Sequence, residues 1–137
     1  MPIIQIKFAT PISQPNLPDR VAAAAVRITT DILHKNPKLT AVVVEEVEAT
    51  SWFVGGPSLA AQHKASFYLD IKVVDGTNTK DEKAAYVAAI FEAMAALLGE
   101  LHPESYVYVH DVRAEAYGFG GLTQEHRYVA GRLAQVA

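Results

Sequence analysis

The 137-residue chain is half apolar and one-fifth charged, with a formal net charge of −3 and no cysteine. That composition is globular, and it excludes a disordered chain, a disulfide framework, a thiolate nucleophile and a Cys-based metal site. Its lysines and arginines are scattered, so no basic stripe points to nucleic acid, and Lys7, Arg20, Arg27 and Asp31 break up any membrane-length apolar run in the first third.

The chain opens MPIIQIKF. IIQIKF is short and rich in β-branched residues, which predicts a strand. No basic region and long apolar run of a signal peptide precede it, so the start is expected to be kept and the address cytoplasmic. Met1 is the exception, because methionine aminopeptidase removes it ahead of a residue as small as proline. LPDRVAAAAVRITTDILHK follows, with Pro18 suited to a first helical turn and Val21, Ala24, Ala25, Ile28 and Ile32 at helical spacing. TAVVVEEVE predicts a second strand, and WFVGG a glycine-rich turn ending at Gly56. FYLDIKVV predicts a third strand. The next segment begins with Thr79-x-x-Glu82, the pattern of a capping box, and its apolar stripe is Val87, Ile90, Phe91, Met94, Leu97 and Leu98, closed by Gly99. SYVYVHDVR predicts a fourth strand and YGFGG a second turn, and residues 123–135 predict a short helix capped by Thr123.

These elements repeat. VEEVEATSWFVGG begins at residue 44 and VHDVRAEAYGFGG at residue 109, an offset of 109 − 44 = 65. The same offset pairs Ile6-Lys7 with Ile71-Lys72, Ala23-Ala24 with Ala88-Ala89, Leu33 with Leu98 and Val42 with Val107, with no gap. The expected architecture is therefore a single domain, 1–137, of two tandem β-α-β units, 2–56 and 67–121, whose strands form one four-stranded sheet with both helices on one face. In the last strand Val107 and Val109 then face the helices, which puts Tyr106, Tyr108 and His110 on the other side and predicts contact with another subunit. The tail helix is expected to pack on a neighbour or an edge. Neighbouring His110 and Asp111 point to opposite faces, so they form no catalytic dyad. The five histidines lack ligand spacing, which argues against a metal. The glycine pairs lack the context of a phosphate loop.

The Met-Pro start, MPIIQIKF, together with EVEATSWFVGG and DVRAEAYGFGG, resembles the tautomerase superfamily. Its members include 4-oxalocrotonate tautomerase, cis-3-chloroacrylic acid dehalogenase and macrophage migration inhibitory factor. The resemblance runs from residue 2 to about residue 121. It implies an α/β (α+β) fold of the tautomerase/MIF-like kind in its fused two-unit form, assembled as a homotrimer. It also implies a cofactor-independent tautomerase acting on an enol or 2-keto acid, with no membrane or nucleic-acid partner. Pro2, freed by loss of Met1, would be the general base and acid. An unperturbed α-amino group titrates at roughly 7.7–8.0, and a pocket that desolvates the charged form lowers that value. Such an amine can take a proton from one atom and return it to another near neutral pH. The second unit has Phe67 at the matching position, with only an amide nitrogen, so one chain would carry one active site.

By the same resemblance, Tyr106 matches a pocket tyrosine of the migration inhibitory factor and the dehalogenase, and would polarise the substrate oxygen. Trp52 and Tyr117 match the aromatic wall of 4-oxalocrotonate tautomerase. His34 and Lys35 stand near the end of the first helix, where related pockets place a lysine or histidine. The two arginines of 4-oxalocrotonate tautomerase fall on Ile12 and Ala41 in the first unit and on Thr77 and Tyr106 in the second. The dehalogenase pair falls on Val74 and Thr77. None of these is basic, which argues against diacid tautomerisation and hydrolytic dehalogenation. Arg113 and Arg127 remain as candidate carboxylate partners by elimination. The alternatives are a proline-dependent hydratase, decarboxylase or dehalogenase, and a non-catalytic trimeric binding protein of the same fold.

Overall fold

The computed structural model describes residues 2–136. The expected removal of Met1 lies outside the described residues. Strand β1 (Ile3–Ala9) buries Ile4, Ile6 and Phe8 while turning Ile3, Gln5 and Lys7 outward, the period-two pattern of a sheet with one covered face. Helix α1 (Leu17–Leu33) leads to β2 (Ala41–Glu46), which pairs parallel with β1. A short helix α2 (Leu59–Gln62) precedes β3 (Ser66–Val74), and α3 (Lys80–Leu98) joins it to the parallel strand β4 (Tyr106–Val112). β1 and β3 run antiparallel at the centre, so the sheet order is β2-β1-β3-β4. A two-residue hairpin, β5 (Gly118–Phe119) and β6 (Leu122–Thr123), leads into α4 (Gln124–Val136). The four-stranded sheet with two helices on one face is thus the fold expected from the sequence.

One core fills the space between sheet and helices. Ile4, Ile6, Phe8, Leu69 and Ile71 meet Val21, Ala25 and Ile28 of α1 and Ile90, Met94 and Leu98 of α3. The α3 stripe differs from the one read off the sequence. Tyr86 is fully buried, whereas Val87 and Phe91 are 42% and 37% exposed. Tyrosine is easy to leave out of an apolar count, but here its hydroxyl finds the buried Thr29 Oγ1 at 2.8 Å, and the ring then packs like any core residue. Thr79 and Glu82 form the expected capping box.

The repeat extends beyond Gly56 and Gly121. Tight 3₁₀ turns occupy Ala49–Ser51 and Ala114–Ala116, at the same offset of 65. The Phe53–Ser58 bridge corresponds to the Gly118–Thr123 pair. The Leu59 amide donates to Trp52 O at 2.8 Å, and the Gln124 amide to Tyr117 O at 3.0 Å. Ser58 and Thr123 each cap the helix that follows. So α2 and the start of α4 are copies of one element, and the tail helix is the longer of the two.

The face away from the helices exposes Tyr106 and Tyr108. Tyr108 stacks on His110 at 4.9 Å, and His110 Nε2 lies 2.9 Å from Asp70 Oδ2 on the neighbouring strand. Lys72 Nζ donates to the other Asp70 oxygen at 2.9 Å. Asp111 turns the opposite way and takes Lys83 of α3 at 2.5 Å, so His110 and Asp111 are indeed split between the faces.

Candidate active site

Strand register fixes where Pro2 sits. Ile3 is level with Ala41 on β2 and Lys72 on β3. One step back, Pro2 falls between Thr40 and Val73, and its carbonyl accepts the Ala41 amide at 3.2 Å. Pro2 is buried. A further step along the same register reaches Leu39 and Val74, and both line a cavity of about 610 Å³. Pro2 itself is not in the cavity wall but stands one register step from Leu39 and Val74. Thr77, from the turn after β3, forms part of the same wall, and Phe119 of the second hairpin faces it. Gln124, Arg127 and Tyr128 complete the enclosure from one face of α4, at the i, i+3, i+4 spacing of neighbours on a helix. The tail helix thus walls the end of the sheet where Pro2 lies.

Lys35 reaches the back of this wall. Its Nζ donates to Thr77 Oγ1 at 2.9 Å. Burial lowers its pKa from the ordinary lysine value, and the charges of Glu82 and Asp111 resist that shift. His34 is the left-handed C-cap of α1, with φ of 59°, and its 68% exposed ring lies 3.2 Å from Glu82. Arg113 follows β4 at the same end of the sheet but pairs with Glu115 at 3.2 Å in solvent. Tyr117 lines a smaller cleft of about 300 Å³ beneath the second hairpin, and burial raises its pKa.

The other two candidates are remote from Pro2 within one chain. Lys7 is level with Tyr68, and Tyr68 with Tyr106. Tyr106 is therefore five residues up the sheet from Pro2 and two strands across, about 16 Å along the strand direction alone. There it lines a cavity of about 730 Å³ with Trp52, Phe53, Gln62, His102 and Glu104. Its hydroxyl donates to Glu104, and that bond, then the carboxylate's charge, raises the tyrosine's pKa. So the structure brings Lys35 and Arg127 to the Pro2 end, and Trp52 and Tyr106 to the opposite end.

The two cavities are related by the repeat. Gln62 and Arg127 occupy matching positions, as do Val54 and Phe119. Gln62 Nε2 donates to Val54 O at 2.9 Å, and Arg127 Nη2 to Phe119 O at 2.9 Å. The role of Gln124 and Tyr128 in the site went unread in the sequence, although carrying the offset past Gly121 would have set Arg127 on Gln62. Among the described residues no three His, Asp or Glu side chains converge to hold a metal.

Residues 68–127 match the family model described as "Tautomerase enzyme". The chain is also 28% identical over 64 residues to "Probable tautomerase K2" of Dickeya dadantii (strain 3937), an alignment that spans 47% of this chain and 96% of that protein. The second half of the chain thus matches the tautomerase family, and the first half repeats its elements. A relative that aligns almost whole within 64 residues is about one repeat long, so this chain carries the length of two such units. Solved structures agree on the fold. The "fused 4-OT wild type symmetric trimer" superposes with a TM-score of 0.76 at 18% identity, covering 90% of this chain and 96% of its own. A protein crystallised after inactivation by 2-oxo-3-pentynoate gives a TM-score of 0.76 at 14% identity, covering 90% and 98%.

Proposed function

We propose that this chain is a cofactor-independent tautomerase whose working group is the amine of Pro2. The observation that carries the reading is the position of Pro2, buried at the start of a central strand, one register step from Leu39 and Val74 of the 610 Å³ cavity. In the reaction the neutral amine takes the proton of an enol hydroxyl, so that the O–H bond breaks and an enolate forms. The resulting ammonium then returns a proton to the neighbouring carbon, which makes the C–H bond and the ketone. No proton or electron is gained or lost overall. The step requires a free secondary amine, and hence a chain that begins at residue 2.

The assembly would be a trimer, as the name of the fused 4-OT neighbour states for that protein. Tyr106 and Trp52 lie too far from Pro2 to serve it in their own chain, so they would reach the Pro2 site of an adjoining subunit. Lys35 would hold positive charge behind Thr77.

The test uses untagged protein expressed from its natural start codon. Intact mass should show loss of one methionine, and phenylenolpyruvate should be converted to phenylpyruvate. An acetylenic 2-oxo acid such as 2-oxo-3-pentynoate is an electrophile for an amine, and peptide mapping should find it on Pro2. Equal turnover by wild type and Pro2→Ala would sink the reading.

A further inference from the structure

We infer that Arg127 is the carboxylate-binding residue of the Pro2 cavity, and that the substrate is a monoanionic 2-oxo acid, or its enol, with an apolar side chain. The chemistry rests on the reading of Pro2 given above. The evidence for Arg127 is separate and comes from the way the second hairpin is closed.

The first hairpin supplies an internal control. There the side chain that ties the loop is Gln62, donating to Val54 O at 2.9 Å and Pro57 O at 3.0 Å. A neutral amide is therefore sufficient for the structural task. In the second hairpin the same task falls to a guanidinium, lying 3.8 Å from the centre of the Phe119 ring. The loop is shaped around it: a Cβ at Gly120 would meet Arg127 Nη2 at 2.8 Å, while one at Gly55, the matching glycine, would meet nothing within 4 Å. A fixed charge has been placed where the fold requires only an amide.

That charge is incompletely used. Arg127 Nε is buried and has no hydrogen-bond partner among the described residues, and the same is true of Gln124 Nε2. Both residues line the Pro2 cavity, three positions apart on one face of α4. Those two atoms are closed off from the open cavity, so it is the guanidinium charge at the cavity wall, and not these donors, that an anion in the cavity would answer. Among the described residues Arg127 has no carboxylate at ion-pair distance. Asp75 and Glu125 also border the cavity, but both are exposed and their charges are screened by water. A carboxylate has the geometry to accept from a guanidinium edge. One guanidinium answers one carboxylate, and Leu39, Val74 and Phe119 offer apolar surface to the rest of the molecule.

The experiment measures binding separately from turnover. Dissociation constants of 3-phenylpropanoate and of its neutral amide are determined for wild type, Arg127→Gln, Arg127→Lys and Pro2→Ala, alongside turnover of phenylenolpyruvate. Gln at 127 keeps the hairpin donor, as Gln62 does. We expect it to weaken the acid by roughly ten- to a hundredfold, the loss of one charge-assisted contact, while the amide changes less than about twofold. Lys at 127 should recover part of the acid's affinity. Pro2→Ala should lose turnover yet bind the acid within about threefold of wild type. An acid that fails to bind wild type, an unchanged acid constant in Arg127→Gln, or equal losses for acid and amide would overturn the assignment whatever Pro2 does. Full turnover by Pro2→Ala would overturn the catalytic reading and leave the acid–amide comparison standing.

Discussion

The two ends of the sheet are built from one 65-residue unit and have met different fates. At one end the first strand position is Phe67, in mid-chain, fully buried and 6.3 Å from the Phe91 ring. The serine behind it is tied to Glu104 O and Ser105 Oγ, each at 3.0 Å. At the other end the same position is Pro2, and the register beyond it runs into a cavity between Leu39 and Val74. On the proposed reading, two tandem units would offer a single position where the strand could begin with an amine. The second copy of that position is free to become core.

Reciprocal substitutions would break the comparison most visibly. Phe67→Ala should cost about 3–5 kcal/mol of stability, because an aromatic side chain leaves a filled core. Pro2→Ala should change the denaturation midpoint little, but reduce enol turnover by roughly 10²–10⁴-fold, the range for a general acid–base group. Urea denaturation and the phenylenolpyruvate assay on both variants decide it. If Phe67→Ala were mild, or Pro2→Ala strongly unfolding, the division of labour between the two positions would be wrong.

The helices differ in the same way at positions 21 and 86, one offset apart. Val21 is buried as plain hydrocarbon, while Tyr86 is buried with its hydroxyl on Thr29 at 2.8 Å. Burial pushes the Tyr86 pKa up to about 12, against a smaller opposing effect of the Thr29 bond. A folded-state pKa raised above the ordinary value of 10.0 means that the stabilisation is complete below pH 10 and is lost as pH rises through 12. About 2 kcal/mol should disappear by pH 12. Tyr86→Phe should cost about 1 kcal/mol at pH 7 through the lost hydrogen bond, yet show less of the alkaline decline. The two stability–pH curves should converge above pH 10, measured by urea titration at each pH. Parallel curves would show that Tyr86 is not the group responsible.

The sheet, the two long helices and the open face were legible because each rests on a short-range rule: alternation in IIQIKF, helical spacing in α1, the Thr79–Glu82 box. The offset of 65 made the second half a check on the first. The site was legible only in part. Pro2, Lys35 and Arg113 stand at one end of the sheet, and Trp52 and Tyr106 at the other, because an antiparallel pairing of the units sends equivalent residues to opposite ends. A repeat in sequence does not reveal that inversion. Gln124 and Tyr128 were missed for a different reason. Their role depends on α4 lying against the hairpin, a tertiary contact made by Arg127 on Phe119 that no local pattern prescribes.

The hairpins themselves sharpen the comparison at a smaller scale. Gly55 has φ of 69° and Gly120 φ of 61°, so alanine at either should cost about 1–2 kcal/mol for a left-handed backbone. Only Gly120→Ala also pushes against Arg127 Nη2. It should therefore raise the KM for a carboxylate substrate several-fold, whereas Gly55→Ala should leave KM unchanged at matched stability. Equal KM values in the two variants would separate Arg127 from the Pro2 cavity.

The smallest expected difference lies at the two helix starts. Thr79 Oγ1 accepts the Glu82 amide at 3.1 Å, and Glu82 Oε1 accepts the Thr79 amide at 2.8 Å, so α3 begins with both orphan donors met. α1 begins differently. Asn16 adopts a left-handed conformation with φ of 60° and makes no side-chain cap, and Pro18 in the first turn brings no amide hydrogen to satisfy. Thr79→Ala should therefore cost about 1 kcal/mol, the ordinary worth of an N-cap. Asn16→Gly loses no cap and relieves the left-handed backbone, while glycine adds freedom to the unfolded chain, and the two effects should cancel to within about 0.5 kcal/mol. The Glu82 carboxyl adds a pH signature. The Thr79 backbone amide holds its pKa below the ordinary value of 4.5, so its stabilisation is present above that value and is lost as pH falls through the folded-state pKa. Thr79→Ala keeps that amide and should keep the acid-side decline, whereas Glu82→Gln should flatten it. A decline lost in Thr79→Ala instead would mean that the threonine hydroxyl, and not the backbone amide, is the chief support of the carboxylate.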